Sequence, residues 1–210
     1  MIFNNSTEAF EYYYDYIMKN GKKLNNTLFI QNVGFYIKNP LDNLITTSWR
    51  KWSKKYADTE WNWYLTGDLD PTPVAALAKI WNTIRDENGL VQSNYGYQWR
   101  RNNQLEKVIE ILKKDNFTRK ASVSFYDGKE IDNYKYDTIC TYSINFNLYD
   151  SKLNMSVLMR SNDLVYGFCN DQYCFSKLQE IVAKSLKVEI GWYFHFANNL
   201  HIYNKHFNLK

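Results

Sequence analysis

Apolar residues recur at two different periods along this chain, and the switches between them mark out its elements. Residues 7–19 place Phe10, Tyr13, Tyr14 and Ile17 at helical spacing, with Ser6 as the expected cap and Asn20-Gly21 as the stop. The stretches 27–31 and 34–38 read as two short strands, closed by Pro40. Residues 54–66 are predicted helical, ending at Gly67. Pro71 and Pro73 mark a loop. Pro73 suits the first turn of a helix that carries Leu77, Ile80, Trp81 and Ile84 to a terminator at Asn88-Gly89. Residues 102–114 repeat the helical spacing with Leu105, Val108, Ile109 and Leu112. Strand-like alternation takes over in 121–126, 142–149 and 153–160. A helix is expected over 171–186, with Tyr173, Leu178, Ile181 and Val182 on one stripe, then an aromatic-rich strand over 188–196. Helices mixed with antiparallel-looking strands predict an α+β class. With no repeat, low-complexity tract or linker, residues 1–210 read as one domain.

Composition narrows the picture. The chain is 45% hydrophobic and 23% charged, enough to bury a core without staples. Aromatics at 18% against 8 Gly and 3 Pro exclude collagen-like, linker-like and disordered classes. No run of about 18 apolar residues predicts a membrane span, and the N-terminus lacks the pattern of a signal peptide. Cys140, Cys169 and Cys174 are an odd number without framework spacing, so a disulfide scaffold is not expected and a reducing cytoplasm is. His195, His201 and His206 are spaced six and five apart, and no zinc-type pair occurs, so no metal is expected. A net charge of +4 suits an anionic ligand, but the basic residues are too dispersed for direct nucleic-acid binding.

Several residues carry possible chemistry, each beside a plainer reading. Cys140 opens a strand and is either a nucleophile or a packed core thiol. Arg160-Ser161-Asn162-Asp163 joins a guanidinium and a hydroxyl, a pair suited to phosphate, or forms a solvated turn. Arg119-Lys120 is a second basic point or ordinary surface. Glu60 lies among Trp61, Trp63 and Tyr64. A carboxyl there is a proton relay with a raised pKa, or an exposed helical Glu. His201 and Tyr203 would face one side of a strand.

Taken in order, these segments resemble the thymidylate synthase family from about Thr27 to the C-terminus. The matching stretches are Glu60…Trp63…Leu65-x-Gly67-Asp68, Asn94-Tyr95-Gly96-x-Gln98-Trp99-Arg100 and Thr118-Arg119-Lys120. They continue with Cys140…Asn145-Phe146, Arg160-Ser161-Asn162-Asp163…Gly167-Phe168-x-Asn170-Asp171…Tyr173 and His201-x-Tyr203-x-x-His206. Within the family the chain is most similar to the phage-encoded deoxycytidylate hydroxymethylases. Ile139 stands where the synthases have Pro, Thr141 where they have His, and Asp171 where an Asn reads uracil.

The resemblance implies a mixed, mostly antiparallel sheet packed with helices, and a homodimer built on the sheets. It implies that Cys140 adds to C6 of dCMP, making C5 nucleophilic toward the one-carbon unit of 5,10-methylenetetrahydrofolate. Arg160 and the other cations would favour the thiolate. Glu60 would organise proton transfers, Tyr95 would assist loss of the C5 proton, and Asp163 would serve catalysis and folate binding. Trp81 would pack near the folate, or simply in a helix core. Arg160 and Ser161 would hold the phosphate, joined across the dimer by Arg119 and Lys120, where Lys120 keeps charge but loses the bidentate geometry of an Arg. Lys22, in Gly21-Lys22-Lys23, is the nearest match to a further phosphate-binding Arg. His201 and Tyr203 would bond the sugar 3′-hydroxyl, and Asp171 would read cytosine or merely cap its helix. Water capture would give 5-hydroxymethyl-dCMP. The alternatives are a related enzyme acting on dUMP or CMP or by methylation, and a catalytically weakened binding or regulatory homologue. Only residues 204–210 follow Tyr203, where the family continues with a segment that closes over folate; without a replacement, weaker folate binding is expected.

Overall fold

The structure, a computed structural model, describes residues 1–134 and 136–210. The chain opens with β1 (Ile2–Phe3) and α1 (Ser6–Asn20), then β2 (Lys22–Leu24) and β3 (Thr27–Ile37). Four helices follow: α2 (Lys54–Thr66), α3 (Thr72–Ala75), α4 (Ile80–Thr83) and α5 (Tyr95–Arg100). After α6 (Gln104–Lys114) come β4 (Ser122–Ser124), β5 (Thr141–Tyr149), β6 (Lys152–Met159) and β7 (Asn162–Asp163). Helix α7 (Cys169–Leu186) and β8 (Glu189–Tyr203) complete the fold. The sheet order is β1-β3-β8-β6-β5-β4, with β2 on β3 and β7 beside β8. Pairing is mixed: β3–β8, β5–β6, β4–β5 and β2–β3 are antiparallel, while β6–β8, β7–β8 and β1–β3 are parallel. This is the predicted α+β class.

Phe35, Ile37, Tyr193 and His195 alternate onto the sheet face covered by α1 and the turn before α7, through contacts such as Tyr13–Phe35 and Phe35–Phe168. Tyr36, Trp192 and Phe194 fall on the opposite face, cluster at ring distances of 4.7–5.1 Å and stay partly exposed.

Local chemistry explains where the elements depart from the sequence reading. Helix α1 is capped by Asn5, which accepts from Glu8 N, and not by Ser6, whose hydroxyl bonds Gln172. The two strands expected over 27–38 are one. Asn32 takes a left-handed φ of 54°, and ladder pairing passes from Gln31–Asn199 to Val33–Ala197 without a change of register. Asn198 donates to Asn32 at this position, the register is the same on either side, and β8 runs on to Tyr203. The helix expected beyond Pro73 breaks into the single turns α3 and α4, leaving Leu77 and Ile80 exposed. The strand expected over 121–126 is only β4. Helix α7 starts two residues before Asp171, after a π-helical turn at Leu164–Phe168.

Candidate active site

A cavity of about 410 Å³ opens between α2, α4, β7, the first turn of α7 and the end of β8. Glu60, Trp81 and Tyr95 line one side. Cys140, Arg160 and Ser161 line another, with Asp163, Asp171, His201 and Tyr203 completing the wall. Residues separated by more than 140 positions thus converge on one space.

Cys140 sits just before β5, in a loop held by Asp137, whose carboxylate accepts from both Ser93 N and Ser93 Oγ at 2.6 and 2.7 Å. Arg160, at the end of β6, donates to the carbonyls of Ile139 and Thr138 at 3.0 and 2.9 Å, and its Nη2 lies 3.7 Å from Cys140 Sγ. The guanidinium favours the thiolate, but burial prevails and pushes the thiol up to about 11. Cys169 and Cys174 are buried and serve packing.

Glu60 projects inward from α2, which Ser53 caps and Gly67 ends at φ 67°. It is 5% exposed, which excludes a solvated helical Glu. Burial, then the nearby charge of Asp171, raise its carboxyl to about 8 against a lowering contribution from Tyr56. Tyr56 Oη donates to Glu60 Oε1 at 3.3 Å and receives Trp81 Nε1–H at 2.8 Å. Glu60 Oε2 is buried without a hydrogen-bond partner among the described residues. Trp81 thus both lines the cavity and steers Tyr56. Tyr95 is 4% exposed, and burial holds its phenol well above its ordinary range.

Asp171 lies in the first turn of α7 but does not cap it. Its Oδ2 accepts from Asn162 Nδ2 at 2.7 Å. The cap of the preceding turn is Asp163, which accepts from the N–H groups of Val165 and Tyr166. Burial raises Asp171 to about 7, partly offset by the Asn162 hydrogen bond. Burial also raises Asp163 to about 6, against the pull of its two backbone donors. His201 Nδ1 meets Asn199 Oδ1 at 3.0 Å, so this nitrogen carries the proton and Nε2 is left as an acceptor. The ring of His201 lies edge-on to Tyr203 at 5.1 Å.

The remaining expected phosphate ligands, of which Arg119 and Lys120 were expected to serve a second copy, lie outside this cavity. Arg119 and Lys120 are exposed between α6 and β4, and Lys22 is exposed on β2; none lines this cavity. Tyr56, Asn162 and His195 received no role from the sequence. Tyr56 is one helical turn before Glu60, a local signal. The link from His195 to Asn162 spans 33 positions and has no local signal.

A sequence model of the family described as "Thymidylate synthase" matches residues 9–209. The chain is 28% identical over 212 residues to a deoxyuridylate hydroxymethyltransferase of Bacillus phage SP01, covering 93% of this chain and 55% of that protein. It is 32% identical over 152 residues to a deoxyuridylate hydroxymethyltransferase of Pseudomonas phage M6, covering 70% and 43%. A thymidylate synthase of Vesicomyosocius okutanii matches at 30% over 157 residues, covering 69% and 58%. The chain spans about half the length of these curated relatives. Thermostable thymidylate synthase A from Bacillus subtilis shares the fold at a TM-score of 0.79, with 20% identity over 95% of this chain and 80% of that one.

Proposed function

The chain belongs to the thymidylate synthase family, and on that footing we propose that it transfers a one-carbon unit to C5 of dCMP and releases 5-hydroxymethyl-dCMP. The observation that carries this reading is Asp171: a partly buried carboxyl that lines the same cavity as Cys140 and is not used as a helix cap. Cytosine presents an amino donor at C4 and an acceptor at N3. A neutral carboxyl with its proton toward N3 and its other oxygen toward the amino group matches that edge.

Arg160 has two nitrogens committed to backbone carbonyls, which fixes its plane, and Nη1 with the Ser161 hydroxyl would receive the phosphate. Arg119 and Lys120, exposed on their own chain, would complete the phosphate site of a second copy. The half-exposed Tyr36, Trp192 and Phe194 face is where the sheets would meet. His201 Nε2 would accept from the 3′-hydroxyl beside Tyr203.

Cys140 Sγ would bond to C6 as its proton leaves to solvent within the site, and elimination of the thiol would end the cycle. Glu60, a carboxylic acid at neutral pH with Oε2 unpartnered, would give and take protons at the ring through water. Tyr95 would orient the water that removes the C5 proton. The cavity fits a folate co-substrate: the Trp81 face and the Asp163 carboxyl line it, and Glu60 Oε2 awaits a donor. Bound there, 5,10-methylenetetrahydrofolate supplies carbon at the oxidation level of formaldehyde, and water capture leaves tetrahydrofolate.

A second reading is hydroxymethylation of dUMP, the nucleotide named for the two phage relatives. A carboxyl at about 7 can also donate to O4 of uracil. Incubation with dCMP, dUMP and CMP plus methylenetetrahydrofolate, followed by mass analysis, separates the readings. A CH2O gain on dCMP supports the proposal. The same gain on dUMP alone selects the second reading, and a CH2 gain indicates methylation.

A further inference from the structure

Behind the cavity wall, Tyr193 and His195 are fully buried on β8 and form no part of the lining. Tyr193 Oη lies 3.0 Å from His195 Nδ1, and His195 Nε2 lies 3.1 Å from Asn162 Oδ1. Asn162 Nδ2 in turn donates to Asp171 Oδ2 at 2.7 Å. Donors and acceptors order this series. Because the Asn162 amide points its NH2 at Asp171, its oxygen must receive a proton from the other side. Burial drives the His195 pKa down to about 3, so the ring is neutral with a single N–H, which belongs on Nε2. Nδ1 is then an acceptor and takes the Tyr193 hydroxyl proton. A second observation bears on the same link. A Cβ on Gly167 would come within 2.7 Å of Asn162 Nδ2 and 3.3 Å of Asp171 Oδ2, so only glycine leaves this hydrogen bond its space.

We propose that Tyr193 and His195 are positioning residues for base discrimination: acting through Asn162, they keep Asp171 Oδ2 an acceptor and leave Oδ1 as the oxygen that offers a proton to the base. This rests on the reading that Asp171 faces the pyrimidine edge. The need for such a device follows from carboxyl chemistry. A free carboxylic acid is an ambiguous reader, because its proton can sit on either oxygen. One placement matches the donor–acceptor order of cytosine, and the other matches the acceptor–donor order of uracil. A carboxyl whose proton is confined to one oxygen reads one edge and meets the other with like groups opposed. The rings of Phe35 and Phe168 pack against His195 at 5.3 and 5.1 Å, so the imidazole has no room to turn out of line.

The test measures dissociation constants for dCMP and dUMP in the wild type, Tyr193→Phe, His195→Phe and Asp171→Ala, and in Asp171→Ala combined with each of the first two. His195→Phe keeps an aromatic ring in the packed site and removes both hydrogen bonds. The dCMP preference should fall about tenfold in His195→Phe, the scale of one unmatched buried polar pair, and by a smaller factor in Tyr193→Phe. In the Asp171→Ala background neither substitution should change the ratio further, which a general loosening of the fold would not reproduce. A ratio unaltered by Asp171→Ala overturns the base-reading assignment itself. If Asp171→Ala abolishes the preference while both aromatic substitutions preserve it, the positioning proposal alone fails. The 15N spectrum of the wild-type His195 ring needs no substitution: a proton on Nε2 supports the ordering, and a proton on Nδ1 overturns it.

Discussion

Arg160 Nη2 lies 3.7 Å from Cys140 Sγ, and this proximity does not bring the thiol into the neutral range. The guanidinium is exposed and partly screened, so desolvation of a thiolate at the half-buried sulfur outweighs the attraction.

Alkylation of Cys140 by iodoacetamide should therefore be slow at pH 7 and keep rising beyond pH 9 without an earlier plateau. Arg160→Ala should shift the rise to still higher pH, since the guanidinium is the group that lowers this thiol. Cys140→Ser gives the background from the buried Cys169 and Cys174. A rate that levels off below pH 8 would show that the thiolate already exists in the free protein.

Carboxyls with raised pKa values tie stability to pH, and those of Glu60 and Asp171 still titrate above pH 6.5. Glu60 is raised from 4.5 to about 8 and Asp171 from 3.8 to about 7, so the folded state binds these protons more tightly than the unfolded chain. Their contribution is full below about pH 4 and is lost as pH rises through the folded values. His195, lowered from 6.5 to about 3, acts in the opposite sense and only below pH 6.5. Urea unfolding should thus show stability falling between pH 6.5 and 8.5, by on the order of 3 kcal/mol when both carboxyls are counted. Glu60→Gln should flatten that decline; an identical slope in the variant would remove Glu60 from the account.

What the sequence made legible was local. Helix α2 carries its own cap at Ser53, its own stop at Gly67, and Glu60 on its inward face. The apolar spacing of Leu77, Ile80, Trp81 and Ile84 misled because it records no continuous stripe: Trp81 is buried against Trp63 and donates to Tyr56, while Leu77 and Ile80 face solvent. The length of β8 was hidden because Asn198 and Asn199 break the alternation on which a strand is recognised. Among the expected site residues, Cys140, Glu60, Arg160, Asp171 and His201 line one cavity. The series from Tyr193 to Asp171 depends on β7 lying beside β8, a pairing that no local pattern announces.

Arg119 is exposed and absent from the cavity of its own chain. Arg119→Ala and Cys140→Ser should each be inactive or weakened alone, and mixing them should restore part of the activity, because in the proposed dimer one site would receive both intact residues. No recovery under demonstrated subunit exchange would count against a shared phosphate site.

The central claim is that Asp171 selects cytosine. Asn is as good a helix cap as Asp, but an amide carries a fixed donor and a fixed acceptor that suit the uracil edge. The measurement is kcat/KM for dCMP and for dUMP in the wild type and in Asp171→Asn. The account predicts that the wild type prefers dCMP and that the variant shifts toward dUMP by about ten- to a hundredfold, the scale of one mismatched polar pair in a dry site. A ratio unchanged by the substitution would contradict it.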